Sequence, residues 1–169
     1  MDLVAPIVAA LVAVLALFAL IDGIVRRRRL AAELALAWSS VPRDAETGLF
    51  DRRVCLQRVA AEVKRARRGG GTVWVGIVTI SDGDPARVGR LFHDSMRMPE
   101  VAFRLTDRVL CIARPDLGPA DRDDLIGRIV AAAPRERLAI GEAVWRGPGD
   151  GDAAQLLHRA SDATAEVRG

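Results

Sequence analysis

The chain reads as an α/β domain of the α+β kind, a central mixed sheet with a β-hairpin flanked by helices, behind an N-terminal transmembrane helix. Three observations predict this. Residues 3–21 form an uncharged apolar run of 19 with Pro6 as its one breaker, close to the roughly 20 needed to cross a hydrocarbon core of about 30 Å. Beyond it, amphipathic stretches of helical period alternate with short β-branched runs bounded by Gly and Pro. The length of 169 residues leaves room for one ordinary domain and an appendage.

The anchor comes first. No basic residue precedes the run, only Met1 and Asp2, and the run is longer than the h-region of a cleaved signal peptide, so it is expected to be retained. Arg26, Arg27, Arg28 and Arg29 follow it. A basic cluster stays on the cytoplasmic side, which places the amino terminus outside the inner (plasma) membrane and the rest of the chain in the cytoplasm. Residues 1–25 are thus the anchor, 26–43 a juxtamembrane helix and linker, and 44–169 the domain. In the linker Leu30, Leu34 and Trp38 recur at helical spacing, and Leu30, Leu34 and Ala37 make a stripe that fits pairing with a second copy. Ser39, Ser40 and Pro42 then break the helix.

Over residues 50–68 the spacing predicts an amphipathic helix with Cys55, Leu56, Val59, Val63 and Ala66 inward. Lys64, Arg65, Arg67 and Arg68 lie in its last turns, where cations complement the helix dipole, and Gly69 to Gly71 stop it. Residues 72–80, TVWVGIVTI, are β-branched and almost wholly apolar, as a strand buried on both faces would be. Asp82 and Asp84, with Gly83 and Pro85, read as a turn rather than a metal loop. A short helix follows to near Met98, closed by Pro99, and two short strands flank a turn at Thr106 and Asp107. Residues 117–132 are a further helix, with Leu125, Ile129 and Val130 inward and Asp121, Asp123 and Asp124 near its start. Residues 138–145 return as a strand, 146–152 (RGPGDGD) are expected to be a flexible loop, and 153–167 a closing helix. Trp74 and Trp145, on the two strands, are expected in the core.

Composition excludes several functions. Net charge is +3, less than the Arg26 to Arg29 cluster alone, so the soluble part is near neutral. Of the 25 basic residues only Lys64 is not Arg, and Tyr and Asn are absent, a bias attributed to a GC-rich genome. Aromatics interleaved with cations, the pattern of single-strand binders, are missing, so nucleic acid is not an expected partner. Cys55 and Cys111 have no second Cys or His at metal-ligand spacing, and His93 and His158 are isolated in sequence, so no metal site is read and both thiols are expected to be buried and reduced. No nucleophile elbow or Walker lysine is present.

The ordered landmarks then carry a resemblance. Asp44, Thr47, Gly48, Leu49, Arg52 and Arg53 match the opening DxLTGLxNRR motif of the diguanylate cyclase (GGDEF) family. Arg97, Arg104 and Pro115 fall in register with its RxxD, its R before the signature and the proline after it. The stretches Ala139 to Ala143 and Leu156 to Arg168 resemble its later strand and closing helix. Residues 44–168 are therefore identified as a GGDEF-like, nucleotide-cyclase-like domain. At the five signature positions, however, stand Thr106, Asp107, Arg108, Val109 and Leu110. The resemblance implies divalent cations held by a carboxylate at the end of the first strand and one at the third signature position, where this chain has Thr79, with Ser81 two residues on, and Arg108. The signature glycines that admit phosphates are replaced, the family's guanine-reading Asn has no counterpart, and the segment before the hairpin is shorter than in active members. Metal-dependent phosphoryl chemistry needs those ligands, so the expectation is no catalytic residues, no metal, no cofactor and no enzyme activity.

The RxxD positions hold Arg97 and Glu100. In the family that motif binds cyclic di-GMP, an arginine meeting phosphate and guanine edges and an acid accepting from guanine N–H groups. The alternative is that Arg97 caps a helix and Glu100 is a solvated loop residue. The expected function is a catalytically inactive, membrane-anchored GGDEF-like protein that regulates or scaffolds, with a protein partner or a second copy of itself, in cyclic di-GMP signalling. The alternatives are a cyclic di-GMP receptor working through Arg97 and Glu100, and an active diguanylate cyclase.

Overall fold

The structure, a computed structural model, describes residues 41–167. The predicted anchor and juxtamembrane helix lie outside the described residues, among which no helix is long and apolar enough to cross a membrane. All of the described residues but Val41 fall in the compact unit Pro42–Gly169.

Its elements are β1 (Phe50–Asp51), α1 (Arg52–Gly69), β2 (Val73–Ile80), α2 (Pro85–Ser95), β3 (Val101–Arg104), β4 (Val109–Pro115), α3 (Pro119–Ala132), β5 (Leu138–Trp145), a 3₁₀ turn (Pro148–Asp150), α4 (Ala153–Asp162) and β6 (Ala165–Val167). The strands make a six-stranded sheet in the order β1-β3-β4-β2-β5-β6. β1 runs parallel to β3 and the other neighbours are antiparallel, so the sheet is mixed and contains the expected hairpin, β3–β4.

The apolar run in β2 follows from its central place. Val73, Val75 and Ile77 point to one face, where Cys55, Val59, Val63 and Ala66 of α1 and Ala153, Leu156 and Ala160 of α4 cover them. Trp74, Val78 and Ile80 point to the other, against Val88 and Phe92 of α2 and Leu125 and Ile129 of α3. Successive strand residues alternate faces, so a strand covered on both sides is apolar almost throughout, with the half-buried Thr79 near its end as the exception. At Gly76 an added Cβ would meet the Trp74 ring, so glycine leaves the indole its room. The Trp74 Nε1–H finds a partner in the Glu142 carboxylate (2.9 Å), which Arg122 also holds.

Helix ends follow local chemistry. Asp51 caps α1, accepting from the Arg53 N–H, and Gly70 ends it at φ +74°, a left-handed conformation that favours glycine. Asp84, expected in a turn, caps α2 by accepting from the Ala86 N–H. Asp152 and Gln155 form a reciprocal capping box at the start of α4.

Several expectations are corrected. Leu56 stands one step off the stripe of Cys55, Val59, Val63 and Ala66 and is 48% exposed, while Glu62 lies on the stripe and is buried, paired with Arg58 and Arg65 at 2.7 Å each. The short helix ends at Ser95 rather than near Met98. The closing helix ends at Asp162, and Ala165–Val167 instead pairs with β5. α4 crosses so close to Gly141 that a Cβ there would strike the Ala160 carbonyl and the Thr164 N–H, and the chain emerging from it lies beside the free edge of β5, where strand pairing satisfies more backbone than another helical turn would. The Arg146 to Asp152 segment is tied down: Trp145 Nε1 donates to the Gly151 carbonyl (2.9 Å), and Arg159 Nη1 donates to the Asp150 carbonyl (2.5 Å). Trp74, Trp145, Cys55 and Cys111 are buried as expected.

Candidate functional site

The hairpin turn and the chain entering β1 build one cleft. Asp44 opens a tight loop: its carboxylate accepts from the Thr47 N–H (2.9 Å) and hydroxyl (2.7 Å), its carbonyl accepts from the Gly48 N–H (2.9 Å), and its own N–H donates to the Leu49 carbonyl (2.8 Å). Gly48 takes φ +73°, and a Cβ there would press on the His93 ring, so this glycine is fixed both by conformation and by close approach. The loop buries Thr47 and Leu49 and leaves Asp44 and Glu46 facing the hairpin.

Arg104, at the end of β3, joins these parts. Its guanidinium donates to Asp44 (2.8 Å), Glu46 (2.6 Å) and Asp107 (3.2 Å), and its side chain is 11% exposed. Burial pushes the Asp44 carboxyl up, but the hydrogen bonds from Thr47 and Arg104 outweigh it and hold the group below its ordinary range. Burial likewise lowers Arg104, and Glu46 and Asp44 more than restore it. Arg104, Asp44, Glu46 and Asp107, with Asp51, Arg52, Leu105 and Thr106, line a cleft of about 380 Å³. Four carboxylates against two guanidiniums leave it net negative.

Arg108 turns the other way. Its guanidinium donates to the Ile80 carbonyl at the end of β2 (3.2 Å), its own carbonyl accepts from the Ile80 N–H (2.8 Å), and its N–H reaches the Thr106 hydroxyl (3.3 Å). Thr79 sits within β2, opposite Val109 and Ala139. Arg53 pairs with Asp51, two residues before it (2.9 Å). Among the described residues no group of three His, Cys, Asp or Glu is placed to hold a metal ion.

The second cluster lies around the residues before β3. Arg97 and Glu100 close a turn, the Glu100 N–H donating to the Arg97 carbonyl (2.6 Å) and the Arg97 N–H to the Glu100 carboxylate (2.8 Å). The expectation of a solvated Glu100 is wrong: its side chain is 1% exposed, and one of its oxygens accepts from both Arg114 (3.0 Å) and Arg128 (2.5 Å). Burying a carboxylate demands such partners. Arg128 also holds Asp124 (3.0 Å) and the Ser95 carbonyl (2.6 Å), and Arg114 holds Asp121 (3.3 Å). The Arg97 guanidinium is two-thirds exposed and meets Asp124 at 3.5 Å, so the two side chains point apart, one inward and one to solvent. Sequence reading missed Arg114 and Arg128. The available signal was a lone cation in the apolar strand VLCIARP and another between the inward Leu125 and Ile129.

No protein-family model matches the chain, and no curated protein does. Solved structures do. The diguanylate cyclase SiaD of Pseudomonas aeruginosa, solved with its activator SiaC, superposes with a TM-score of 0.68 at 18% identity, over 82% of this chain and 62% of that one. The GGDEF domain of DgcB from Caulobacter crescentus, solved in complex with c-di-GMP, gives 0.63 at 15% identity over 71% of this chain and 83% of that one. A sensory box/GGDEF family protein of Caulobacter crescentus gives 0.62 at 21% identity over 72% of this chain and 94% of that one. This chain thus spans less than two thirds of SiaD and most of the other two chains. The likeness shows that the chain has the GGDEF fold.

Proposed function

We propose that the chain is a GGDEF-fold regulatory protein of cyclic di-GMP signalling that makes no cyclic dinucleotide itself, acts by binding another protein, and is held at the inner membrane by residues 3–21. The observation that carries this reading is the state of the hairpin turn. Joining two GTP molecules requires divalent cations on the triphosphates, held by hard oxygen ligands. At the two aligned positions stand a strand hydroxyl, Thr79, and a guanidinium, Arg108, which is committed to the Ile80 carbonyl; that donor set does not fit a divalent cation. The adjoining cleft is net negative and three of its four acids are gathered on Arg104, so a triphosphate would meet repulsion there. SiaD, the similar structure solved with its activator, shows a protein partner on one chain of this fold.

A second reading is favoured by one observation, the Arg97 guanidinium turned to solvent beside the buried cluster of Arg114 and Arg128 on Glu100. Arginine forks read phosphate and guanine edges, and the similar DgcB domain was solved with c-di-GMP. One experiment separates the readings. Cyclic di-GMP, and GTP with magnesium, are titrated calorimetrically into the full chain and its Arg97→Ala variant while pyrophosphate release is followed. Silence with both ligands supports the protein-binding role. Cyclic di-GMP binding that disappears in the variant makes the chain a receptor, and GTP turnover overturns the non-catalytic reading.

A further inference from the structure

The solvent side of α1 is charged in one sense only. The helix carries seven Lys and Arg against one acid, the buried Glu62. Of the chain's 25 basic residues Arg26 to Arg29 precede Pro42, and of its 22 acids Asp2, Asp22 and Glu33 do, so the compact unit stands at +2. α1 alone is +6 and the remainder of the unit is therefore −4. Along its outer face Arg53, Leu56, Ala60, Ala61, Lys64 and Arg68 are all exposed, with no acid among the exposed residues of the helix. Lys64 and Arg68 form no ion pair with any described residue, and Arg67 lies 5.9 Å over the Trp145 ring with no acid beside it. Cations already paired within the fold have little left for an outside anion, whereas these keep their full field.

We propose that this face of α1 lies along the anionic cytoplasmic leaflet, an inference that rests on the membrane-anchored reading above. Charge complementarity selects an anionic partner, and the upstream chain selects which one. Twenty residues separate Ile21, the end of the apolar run, from Pro42; at roughly 3.3 Å per residue fully extended, a chain of that length reaches at most about 70 Å. A tether that short keeps the leaflet at high effective concentration before the domain and disfavours a freely diffusing competitor. The face suits a broad, flat anion better than a protein. Ala60 and Ala61 at its centre allow close approach, and it carries no Trp, Tyr or Phe to serve as the anchor of a protein interface.

The test uses the full chain with Ala61→Cys labelled by an environment-sensitive dye, since Cys55 and Cys111 are buried. The labelled chain is placed in nanodiscs of phosphatidylcholine alone and of phosphatidylcholine with phosphatidylglycerol. The expected result is a blue-shifted emission in the anionic discs only, reversed by high salt. The combined variant Lys64→Ser, Arg67→Ser, Arg68→Ser should weaken docking roughly a hundred-fold, at about five-fold per cation removed. Identical spectra in the two discs, or a shift that survives the triple variant, overturn the proposal. A response to added polyglutamate peptide with none to anionic discs assigns the face to an acidic protein and also overturns it. If the chain elutes free of lipid, it is the anchor reading that fails. The same chain mixed with anionic vesicles then decides docking by itself, a shift supporting it and its absence refuting it.

Discussion

Glu100→Gln should be among the most damaging single-atom changes available in this fold. The wild-type carboxylate is nearly sealed, with one oxygen shared by Arg114 (3.0 Å) and Arg128 (2.5 Å) and the other taken by the Arg97 N–H (2.8 Å). Glutamine keeps the shape and one acceptor, but its amide must turn two hydrogens toward a site where every neighbour is a donor. The change also removes the only buried anion facing the two guanidiniums. Arg128 keeps Asp124 and the Ser95 carbonyl, and Arg114 keeps Asp121, but both of those acids are more than half exposed and so compensate weakly. Removing one partner of a buried ion pair costs about 3–5 kcal/mol, a large part of the 5–15 kcal/mol that holds a domain folded. At roughly 3–5 °C per kcal/mol for a unit of this size, Tm should fall by about 10–20 °C. The assay is calorimetric unfolding of the full chain, with urea titration to check that the m-value is unchanged. Asp124→Asn is the control, since that acid is 56% exposed and its loss should cost at most about 1 kcal/mol. A Glu100→Gln shift no larger than the control's would mean that the carboxylate is solvated and that the cluster is not a buried network.

Gly141→Ala should destabilise by about 1–3 kcal/mol, because the new methyl meets backbone of α4 that no rotamer can move aside; an unchanged urea midpoint would place α4 farther from β5. Asp152→Ala removes the capping box of α4 and should cost about 1 kcal/mol in the same titration, with Asp152→Asn recovering most of it. Asp44 is held below its ordinary value of 3.8 in the fold, so its contribution to stability is present in full above that value and is lost as pH falls through the lowered one. Asp44→Asn should accordingly flatten the acid limb of a Tm-against-pH curve, and a parallel offset at every pH would contradict the assignment. Cys55 stabilises the protonated Cys111 thiol by a hydrogen bond, and burial pushes it further up, so a thiol-specific disulfide reagent should leave both cysteines unmodified in the native chain and titrate two in denaturant; labelling of the native protein would show that the α1–β4 contact opens.

The strands were legible because burial on both faces leaves a plain record. TVWVGIVTI and LAIGEAVW could only be strands of a covered sheet, and the structure starts and ends them within a residue of the reading. β6 was not legible, since ATAEV has the composition of a helix and becomes a strand through its neighbour: the open edge of β5 outweighs local propensity. The same limit hid the Glu100 cluster. In sequence Glu100 follows a proline in a polar stretch, and its partners come 14 and 28 residues later. The pairing of Val101 with Ala113 sets Glu100 across from Arg114, a register known only once the hairpin is folded. Arg104 was placed by its motif, but its grip on Asp44, 60 residues away, required β1 to lie beside β3. Arg97, read either as a ligand-binding arginine or as a helix cap, turns its guanidinium to solvent beside Asp124, an orientation its motif did not give.

That parallel β1–β3 pairing has a mechanical side. The Pro42 carbonyl accepts from Asp51 N–H (3.0 Å), Arg43 bridges to Phe50 and stacks over its ring, and Asp44 is bolted to Arg104. The chain thus enters the unit two residues ahead of Asp44, which also walls the cleft at the hairpin. A pull or twist arriving at Pro42 has no slack loop in which to dissipate, and its first point of application is the guanidinium that gathers the cleft's acids. In this architecture the lever and the latch are one piece of backbone.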